Sequence, residues 1–396
     1  MTLRIISLLV LFSLAGCSGG GGRDTPAPNN SGPVSLPGVF LLTGSMQTGR
    51  VFHTATLLTS GKVLITGGTN DLGGSGAEAA TSAEIFDPST GSSTPAGKLG
   101  IARQNHVALL LPNGKVLLAG GQVNTAPSTE LFDPVSGTST STSLMNKNRN
   151  SVTRFTATVL QNGKTLITGG YIPGSDPNEA FRACEELYDP ATNVFSPTGA
   201  LIVPRDWHCA TRLNDGRVLI TGGSNNGDPV QSSAELYDPS TGTFTATGSM
   251  KTARMNHSST LLPNGKVLIT GGFNDRESYG TLASSELFDP STGIFSTCMA
   301  LMVPRQDHTA TLLPNGKVLI AGGMLLSGST LQAVQFPAEI FDPATEKFSP
   351  TGSMVQARGF ATATQHASGK ILFLGGTSMW GVGFYSTLKS GEEFQQ

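Results

Sequence analysis

Charged residues are scarce in this chain, and their scarcity excludes several classes of protein. Only 13% of the 396 residues are Asp, Glu, Lys or Arg, and the formal net charge is −2. Because phosphate binding needs clustered, unneutralised Lys and Arg, we expect no nucleic-acid partner. Long runs with apolar residues at i, i+3 and i+4 are missing after the N-terminus, whereas glycine reaches 50 residues. These features exclude a helical solenoid and favour an all-β class.

The first sixteen residues differ from the rest. Arg4 precedes an apolar stretch at 5–14 that is too short to span a bilayer and is typical of a secretory signal. Leu14-Ala15-Gly16-Cys17 then resembles the lipobox of bacterial lipoproteins, in which the chain is cut before a cysteine that carries lipid. The resemblance implies a lipid at Cys17 and a place in the bacterial cell envelope, and Ser18 favours the outer membrane. A plain signal peptide with an incidental cysteine is the alternative.

Residues 17–37 are mostly Gly, Ser, Pro and Asn without apolar periodicity, which predicts a flexible tether. We therefore divide the chain into a signal peptide (1–16), a lipidated tether (17–37) and a folded domain (38–396).

The folded domain consists of one unit repeated seven times. Seven apolar runs end in a Gly-Gly pair, at spacings of 49 to 53 residues. The pairs begin at Gly67, Gly120, Gly169, Gly222, Gly271, Gly322 and Gly375. In six units a second block follows, reading Glu-Ile/Leu-Phe/Tyr-Asp-Pro. A fixed period near fifty predicts a repeat architecture.

Each unit contains four short strands, a to d. In the fifth unit they are predicted at 257–262, 266–270, 285–288 and 294–296, joined in part by Asn-Gly and Asp-Pro-Ser-Thr-Gly turns that supply positive φ. Strand b is apolar on consecutive residues, such as Val63-Leu64-Ile65, so both of its faces must be buried. Blades stacked around an axis bury both faces, which predicts a β-propeller.

The two ends of the folded domain predict how the ring closes. The seventh unit contains only strands a, b and c, while Phe40 to Met46 matches strand d of other units, such as Phe244 to Met250. An N-terminal strand that completes the last blade would hide an exposed sheet edge. The sequence therefore predicts a seven-bladed propeller of four-stranded antiparallel blades.

The apolar run with Gly-Gly, the downstream aromatic and an Arg at the start of strand a resemble kelch repeats, including those of bacteria and of the galactose oxidase propeller. Strand d departs from most kelch units, because Phe244, Phe295 and Phe348 stand where Trp is usual.

An Arg-x-x-His motif precedes strand a in five units, and one Glu recurs at the start of strand c. The arginines are Arg50, Arg103, Arg205, Arg254, Arg305 and Arg358, with Arg149 in the third unit. The glutamates are Glu84, Glu130, Glu186, Glu235, Glu286, Glu339 and Glu392. One interpretation is a ring of cations that holds an anion or a metal. We favour a structural role, in which buried Arg and Glu pair and so offset their desolvation.

The resemblance to galactose oxidase implies a copper site of two Tyr and two His, with one Tyr crosslinked to Cys. Here five of the six histidines occupy the repeat position and no Tyr-His pair occurs. Copper needs convergent imidazoles and phenolates, so we expect no metal and no cofactor. Sialidase-like chemistry would need an unpaired Arg cluster with Tyr and Glu, for which there is no motif.

Cysteine is sparse as well. After lipidation of Cys17, Cys184, Cys209 and Cys298 remain, so at most one disulfide can form. Cys184 and Cys209 are predicted on the same side of adjacent blades. Either these two form a bridge, or all three are buried thiols.

The connections on the two faces of the propeller differ in variability. The a–b and c–d turns are nearly identical between units, whereas the b–c segments differ in every copy. Function concentrates in variable loops on a rigid scaffold, which predicts a ligand site lined by Trp380, Tyr171, Tyr279, Arg276 and Asp71. Tolerant surface loops are the alternative.

We expect a monomeric, non-catalytic binding module for a protein or carbohydrate ligand, which contacts the membrane only through its lipid. The alternative function is an envelope enzyme of the galactose oxidase or sialidase kind.

Overall fold

The computed structural model describes residues 38–70, 81–121, 129–145, 155–170, 185–225, 229–274, 280–327, 330–333, 337–380 and 386–396. The predicted signal peptide, Cys17 and the tether lie outside these residues. The described chain forms seven four-stranded antiparallel sheets, which are the seven blades. The predicted all-β, seven-bladed propeller is confirmed.

The strands follow the order a, b, c, d in every blade. Blades 1 to 4 comprise Thr54–Leu57, Val63–Thr66, Ser82–Asp87 and Ser92–Lys98; Val107–Leu110, Val116–Ala119, Thr129–Asp133 and Thr138–Ser141; Thr156–Val159, Thr165–Thr168, Glu186–Asp189 and Val194–Pro197; Cys209–Arg212, Val218–Thr221, Ala234–Asp238 and Thr243–Ala246. Blades 5 to 7 comprise Ser258–Leu261, Val267–Thr270, Ser285–Asp289 and Ile294–Thr297; Thr309–Leu312, Val318–Ala321, Glu339–Asp342 and Lys347–Pro350; Thr362–Gln365, Ile371–Leu374, Ser390–Gln395 and Val39–Ser45.

The ring closes through the N-terminal strand, as the sequence predicts. Val39–Ser45 pairs antiparallel with Ser390–Gln395, so that Phe40 lies opposite Phe394. Phe40 is buried against the rings of Phe373 and Phe394, with centroids 5.5 and 5.0 Å away. The first strand of the domain is therefore strand d of the last blade.

The hydrophobic core is divided into seven layers, one between each pair of neighbouring blades. One layer combines Leu268 and Leu287 of blade 5 with Ile320 and Phe341 of blade 6. Another combines Met46 and Leu372 of blade 7 with Ile65 of blade 1. Every b strand with a run such as Val-Leu-Ile is buried on both faces because each face belongs to a different layer.

The Gly-Gly pairs lie at the end of strand b, packed against the d–a crossings of their own blade and of the next blade. Gly271 and Gly272 have φ of 60° and 101°. A Cβ on Gly272 would lie 2.6 Å from the carbonyl oxygen of Met255. The Gly272 N–H donates to the Arg305 carbonyl oxygen of blade 6 at 2.9 Å. Glycine is required here both for the positive φ and for the space.

A small sheet on the b–c face joins blades 6 and 7 and has no counterpart in the sequence prediction. Its strands are Met324–Ser327, Thr330–Ala333 and Met379–Trp380. Leu331 pairs with Trp380, and Gln332 pairs with Met379. No helix among the described residues has the length and apolarity needed to cross a membrane.

Candidate functional site

The recurring Arg and Glu form a buried ion pair within each of six blades. The guanidinium Nη2 lies 2.6 to 3.1 Å from the carboxylate in Arg50–Glu84, Arg103–Glu130, Arg205–Glu235, Arg254–Glu286, Arg305–Glu339 and Arg358–Glu392. All six arginines are fully buried. In the third blade Glu186 is buried, and Arg149 lies outside the described residues.

Each pair fixes the crossing from strand d to strand a. In blade 5 the Glu286 carboxylate also accepts hydrogen bonds from the N–H groups of Lys251 and Thr252 at 2.7 and 3.1 Å. Arg254 Nη1 donates to the Gly271 carbonyl at 2.7 Å. The motif residues are therefore used inside the blade rather than presented to a ligand.

The repeat histidines link neighbouring blades. Nε2 of His106 lies 3.0 Å from the Thr54 hydroxyl of blade 1, and Nε2 of His53 lies 3.3 Å from the Thr362 hydroxyl of blade 7. Burial, followed by the nearby Arg50, lowers the pKa of His53 to about 3. The pKa of His106 and His208 also falls to about 3, chiefly through burial. These imidazoles are neutral at pH 7 and do not form a ring of cations.

The residue just before each repeat histidine, or before Ala361 in blade 7, adopts a left-handed backbone conformation although it is not glycine. Its φ lies between 51° and 57° in six blades. The six residues, which we call the mouth ring, are Phe52, Asn105, Trp207, Asn256, Asp307 and Phe360. Asn and Asp tolerate this region, but it is a genuine outlier for a bulky residue such as Trp207. A strained conformation held at the same place in six blades points to a use of these side chains.

Topology places the mouth ring at one end of the central axis. Strand a of each blade begins two residues after the ring residue. The opposite ends of the a strands come together at the axis, since Leu57, Pro263 and Leu312 of blades 1, 5 and 6 line one cavity there. The mouth ring therefore surrounds the axial opening on the face of the d–a and b–c connections.

Contacts between blades hold the mouth ring rigid. The N–H groups of Asn105, Asn256 and Asp307 donate to the carbonyl oxygens of Phe52, Trp207 and Asn256 at 2.9, 3.2 and 3.1 Å. The rings of Phe52 and Phe360 meet edge to face, with centroids 5.0 Å apart. All six residues are half-buried, and Oδ1 of Asn256 is itself buried.

One buried acid accompanies the ring. Asp206 precedes Trp207 and is 5% exposed, and its Oδ1 has no hydrogen-bond partner among the residues described. Burial raises the pKa of Asp206 to about 7, although a hydrogen bond with the Trp207 side chain acts in the opposite direction. The corresponding residues of blades 1, 2, 5 and 6 are the uncharged Val51, Gln104, Met255 and Gln306. Burying a carboxyl group without a full set of partners costs free energy. Because only blade 4 has an acid at this position, the requirements of the repeat do not explain it.

Most of the ligand-site residues predicted from the sequence lie outside the described part of the chain. Asp71, Tyr171, Arg276 and Tyr279 belong to this group. The backbone of Trp380 belongs to the small sheet on the b–c face. The sequence does not predict the mouth ring, because a positive φ leaves no signal in the composition. The ring residues are marked only by their place directly before the repeat histidine.

The predicted Cys184–Cys209 bridge stays a prediction, because Cys184 lies outside the described residues. Sγ of Cys209 lies 3.0 Å from the His257 carbonyl oxygen. Cys298 is a free thiol, and burial raises its pKa to about 12.

The described residues do not fit a copper site. The repeat histidines are turned into the layers between blades, and the Tyr188 and Tyr237 hydroxyls bond Asn193 and Thr198 at 2.7 and 2.8 Å. Within the described ranges no three His, Cys, Asp or Glu side chains are grouped as metal ligands.

The opposite face has a basin built from repeated turns. A cavity of about 720 Å³ there is lined largely by Leu, Pro and Gly of the a–b turns, with His366 as its titratable group. Most of these lining residues are turn residues of the repeat, so the basin does not distinguish one blade from another. The mouth ring does, and we therefore assign the candidate site to it.

Comparison with known proteins supports the fold. The family model of the Kelch motif matches residues 208–251, which span blade 4. No curated protein matches the chain. Among solved structures, the chain is similar to a fungal alcohol oxidase of the AA5 family in complex with copper, at 20% identity and a TM-score of 0.72, over 90% of this chain and 76% of that one. At this identity the likeness concerns the fold alone.

Proposed function

We propose that the protein is a non-catalytic binding module that takes its ligand at the mouth ring. The observation that carries the proposal is the ring of six non-glycine residues with positive φ, strained where the residue is Phe or Trp, which differs between blades while its backbone repeats. Residues that only hold a blade, such as the buried Arg and Glu, are the same in every described pair. Side chains that vary on a repeated, strained backbone are suited to recognition.

The side chains of the ring favour a glycan as the ligand. Phe52, Phe360 and Trp207 provide aromatic surface on two sides of the opening, and Asn105 and Asp307 provide an amide and a carboxylate between them. Aromatic faces stack on the C–H faces of sugars, while amides and carboxylates bond their hydroxyls. Rigid polar groups also lose little entropy on binding.

A glycan array probed with the full chain carrying Cys17→Ser tests this proposal. Selective binding that is lost in Trp207→Asn would support it. Asn occurs at the same ring position in blades 2 and 5 with φ of 51° and 53°, so this variant keeps the backbone conformation. A protein ligand recovered instead, with no glycan bound, would reject the carbohydrate assignment.

The alternative is an envelope enzyme of the galactose oxidase or sialidase kind, and the fold shared with a copper-containing oxidase is consistent with the first of these. Metal analysis distinguishes the two functions. Our proposal expects no stoichiometric copper after incubation with Cu²⁺ and desalting, and tight one-to-one copper binding would reverse the choice.

We further propose that Cys17 carries lipid and anchors the protein in the outer membrane of the cell envelope. Cys17→Ser should then move the protein from the membrane to the soluble fraction, since stable attachment depends on buried acyl chains, each CH₂ contributing about 0.8 kcal/mol. Unchanged membrane association of the variant would reject the anchor.

A further inference from the structure

Blade 4 differs from the other blades of the mouth ring at two neighbouring positions. Among these six blades, Trp207 is the one ring residue that carries an indole N–H, and Asp206 is the one acid at the position before the ring residue. The five other blades have Val51, Gln104, Met255, Gln306 and Gly359 there. The acid and the indole thus occur together, which indicates that one serves the other.

A hydrogen bond joins the two side chains. An indole N–H only donates, so the Asp206 carboxyl group is the acceptor. This carboxyl group is buried, and its Oδ1 has no hydrogen-bond partner among the residues described. Because buried polar groups need partners to offset their desolvation, Asp206 depends on the indole N–H, and the half-buried indole of Trp207 depends on this acceptor.

The backbone of the pair is fixed by its neighbours. The N–H groups of Asp206 and Ser224 each donate to the carbonyl oxygen of the other at 2.9 Å. The Trp207 carbonyl oxygen accepts the N–H of Asn256 in blade 5 at 3.2 Å, and Trp207 keeps a φ of 55°. A change in the charge of Asp206 therefore acts on the orientation of the Trp207 side chain rather than on the backbone of the ring.

The charged and titratable neighbours of Asp206 among the described residues are turned to other partners. Arg205 pairs with Glu235 at 2.8 Å, and His208 is turned into the layer toward blade 3. Burial, followed by the backbone of Asp206 and the Trp207 side chain, sets the pKa of Asp206. Trp207 is therefore the side chain that a change in this charge affects first.

We propose that Asp206 is a positioning residue of the mouth ring, whose ionised carboxylate fixes the indole of Trp207 and whose protonation releases it. An ionised acceptor makes a hydrogen bond roughly twice as strong as a neutral one. The ring then presents Trp207 in one orientation at alkaline pH and in a wider range of orientations at acid pH. A ligand that stacks on Trp207 binds more tightly at alkaline pH. This last consequence rests on the binding function proposed above, whereas the positioning of Trp207 does not.

NMR of the indole N–H tests the positioning without any ligand. The full chain with Cys17→Ser, labelled with ¹⁵N, has two indole signals, because its two tryptophans are Trp207 and Trp380. Trp380→Phe identifies the signal of Trp207. Between pH 5 and 9 the indole proton of Trp207 should move downfield in one step as the pH rises, with a midpoint near 7.

Asp206→Asn is the test variant, because it keeps a carbonyl acceptor of the same size but cannot ionise. It should abolish the step. Asp238→Asn is the matched control, since it removes one carboxylate of the same blade at the c–d turn of the opposite face, and it should keep the step. A Trp207 signal that does not move with pH, or that moves equally in Asp206→Asn, would overturn the proposal.

The glycan selected on the array provides a second arm. Its Kd should be about fivefold higher at pH 6 than at pH 8, which is the difference between a neutral and a charged hydrogen bond, and should be equal at both pH values in Asp206→Asn. An indole step with an unchanged Kd would reject the link to binding. Failure of every glycan to bind would reject the proposed function, while the indole step still decides the role of Asp206.

Discussion

At the scale of single residues, the buried Arg–Glu pairs explain why the same two charges recur in a chain with so few. The Glu286 carboxylate accepts hydrogen bonds from Arg254 and from two backbone N–H groups of the d–a crossing. It thus supplies an acceptor for N–H groups that no neighbouring strand pairs with. The pair is retained for this geometry, since burying two charges is not favourable by itself.

Arg254→Met should therefore lower the free energy of unfolding by about 3 to 5 kcal/mol, because it leaves a buried carboxylate without its counter-ion. Lys317→Met is the matched control. Lys317 pairs with Asp342 at 2.9 Å, but the two side chains are 41% and 29% exposed, and such surface pairs contribute less than about 1 kcal/mol. Urea denaturation measures both changes, and equal losses would contradict the structural role of the buried pairs.

Asp206 should make the free energy of unfolding fall as the pH rises. Its raised pKa, about 7, means that the native state holds a proton which the unfolded chain has released above pH 4. The stability from this proton is complete below pH 4 and is lost as the pH rises through 7. Asp206→Asn is neutral at every pH, so its gain in unfolding free energy over the unmodified protein should grow between pH 4 and 8, by on the order of 3 kcal/mol. Urea denaturation at both pH values measures the difference, and a gain that does not change with pH would show that Asp206 is ionised throughout.

At the scale of strands, the sequence predicted the architecture well because each element has a local cause. Asn-Gly turns and consecutive apolar residues place strands a and b of blade 5 within one residue of their observed bounds, Ser258–Leu261 and Val267–Thr270. The small sheet through Met324–Ser327 was missed because it depends on pairing between blades 6 and 7, which no local pattern indicates. The mouth ring was missed for a related reason, since its conformation is imposed by hydrogen bonds from one blade to the next.

Val39–Ser45 closes the ring, so its removal should destabilise the whole propeller. A chain that begins at Gln47 lacks Val39–Ser45 and leaves Phe373 and Phe394 exposed where Phe40 covers them. We expect it to aggregate or to melt well below the chain that begins at Gly38, because burial of one Phe side chain contributes about 1.5 to 3 kcal/mol and the edge of strand c is uncovered. Differential scanning calorimetry compares the two, and equal melting temperatures would show that the ring closes by another route.

At the scale of the whole molecule, the two faces of the propeller have different roles. The a–b and c–d turns repeat with little variation and serve to reverse the chain. The opposite face has the mouth ring, the buried Asp206 and the sheet shared by blades 6 and 7. A rigid ring of blades supports this face, so its side chains are held in place before a ligand arrives.

The affinity of the glycan selected on the array, measured by titration calorimetry, tests the binding role of the mouth ring most directly. Trp207→Asn should weaken binding by about 2 kcal/mol, or roughly 30-fold in Kd, while the melting temperature shows that the fold is kept. Asn264→Ala, in an a–b turn of the opposite face, should leave Kd unchanged. Unaltered binding by Trp207→Asn, or binding abolished by Asn264→Ala, would contradict the assignment of the ligand site to the mouth ring.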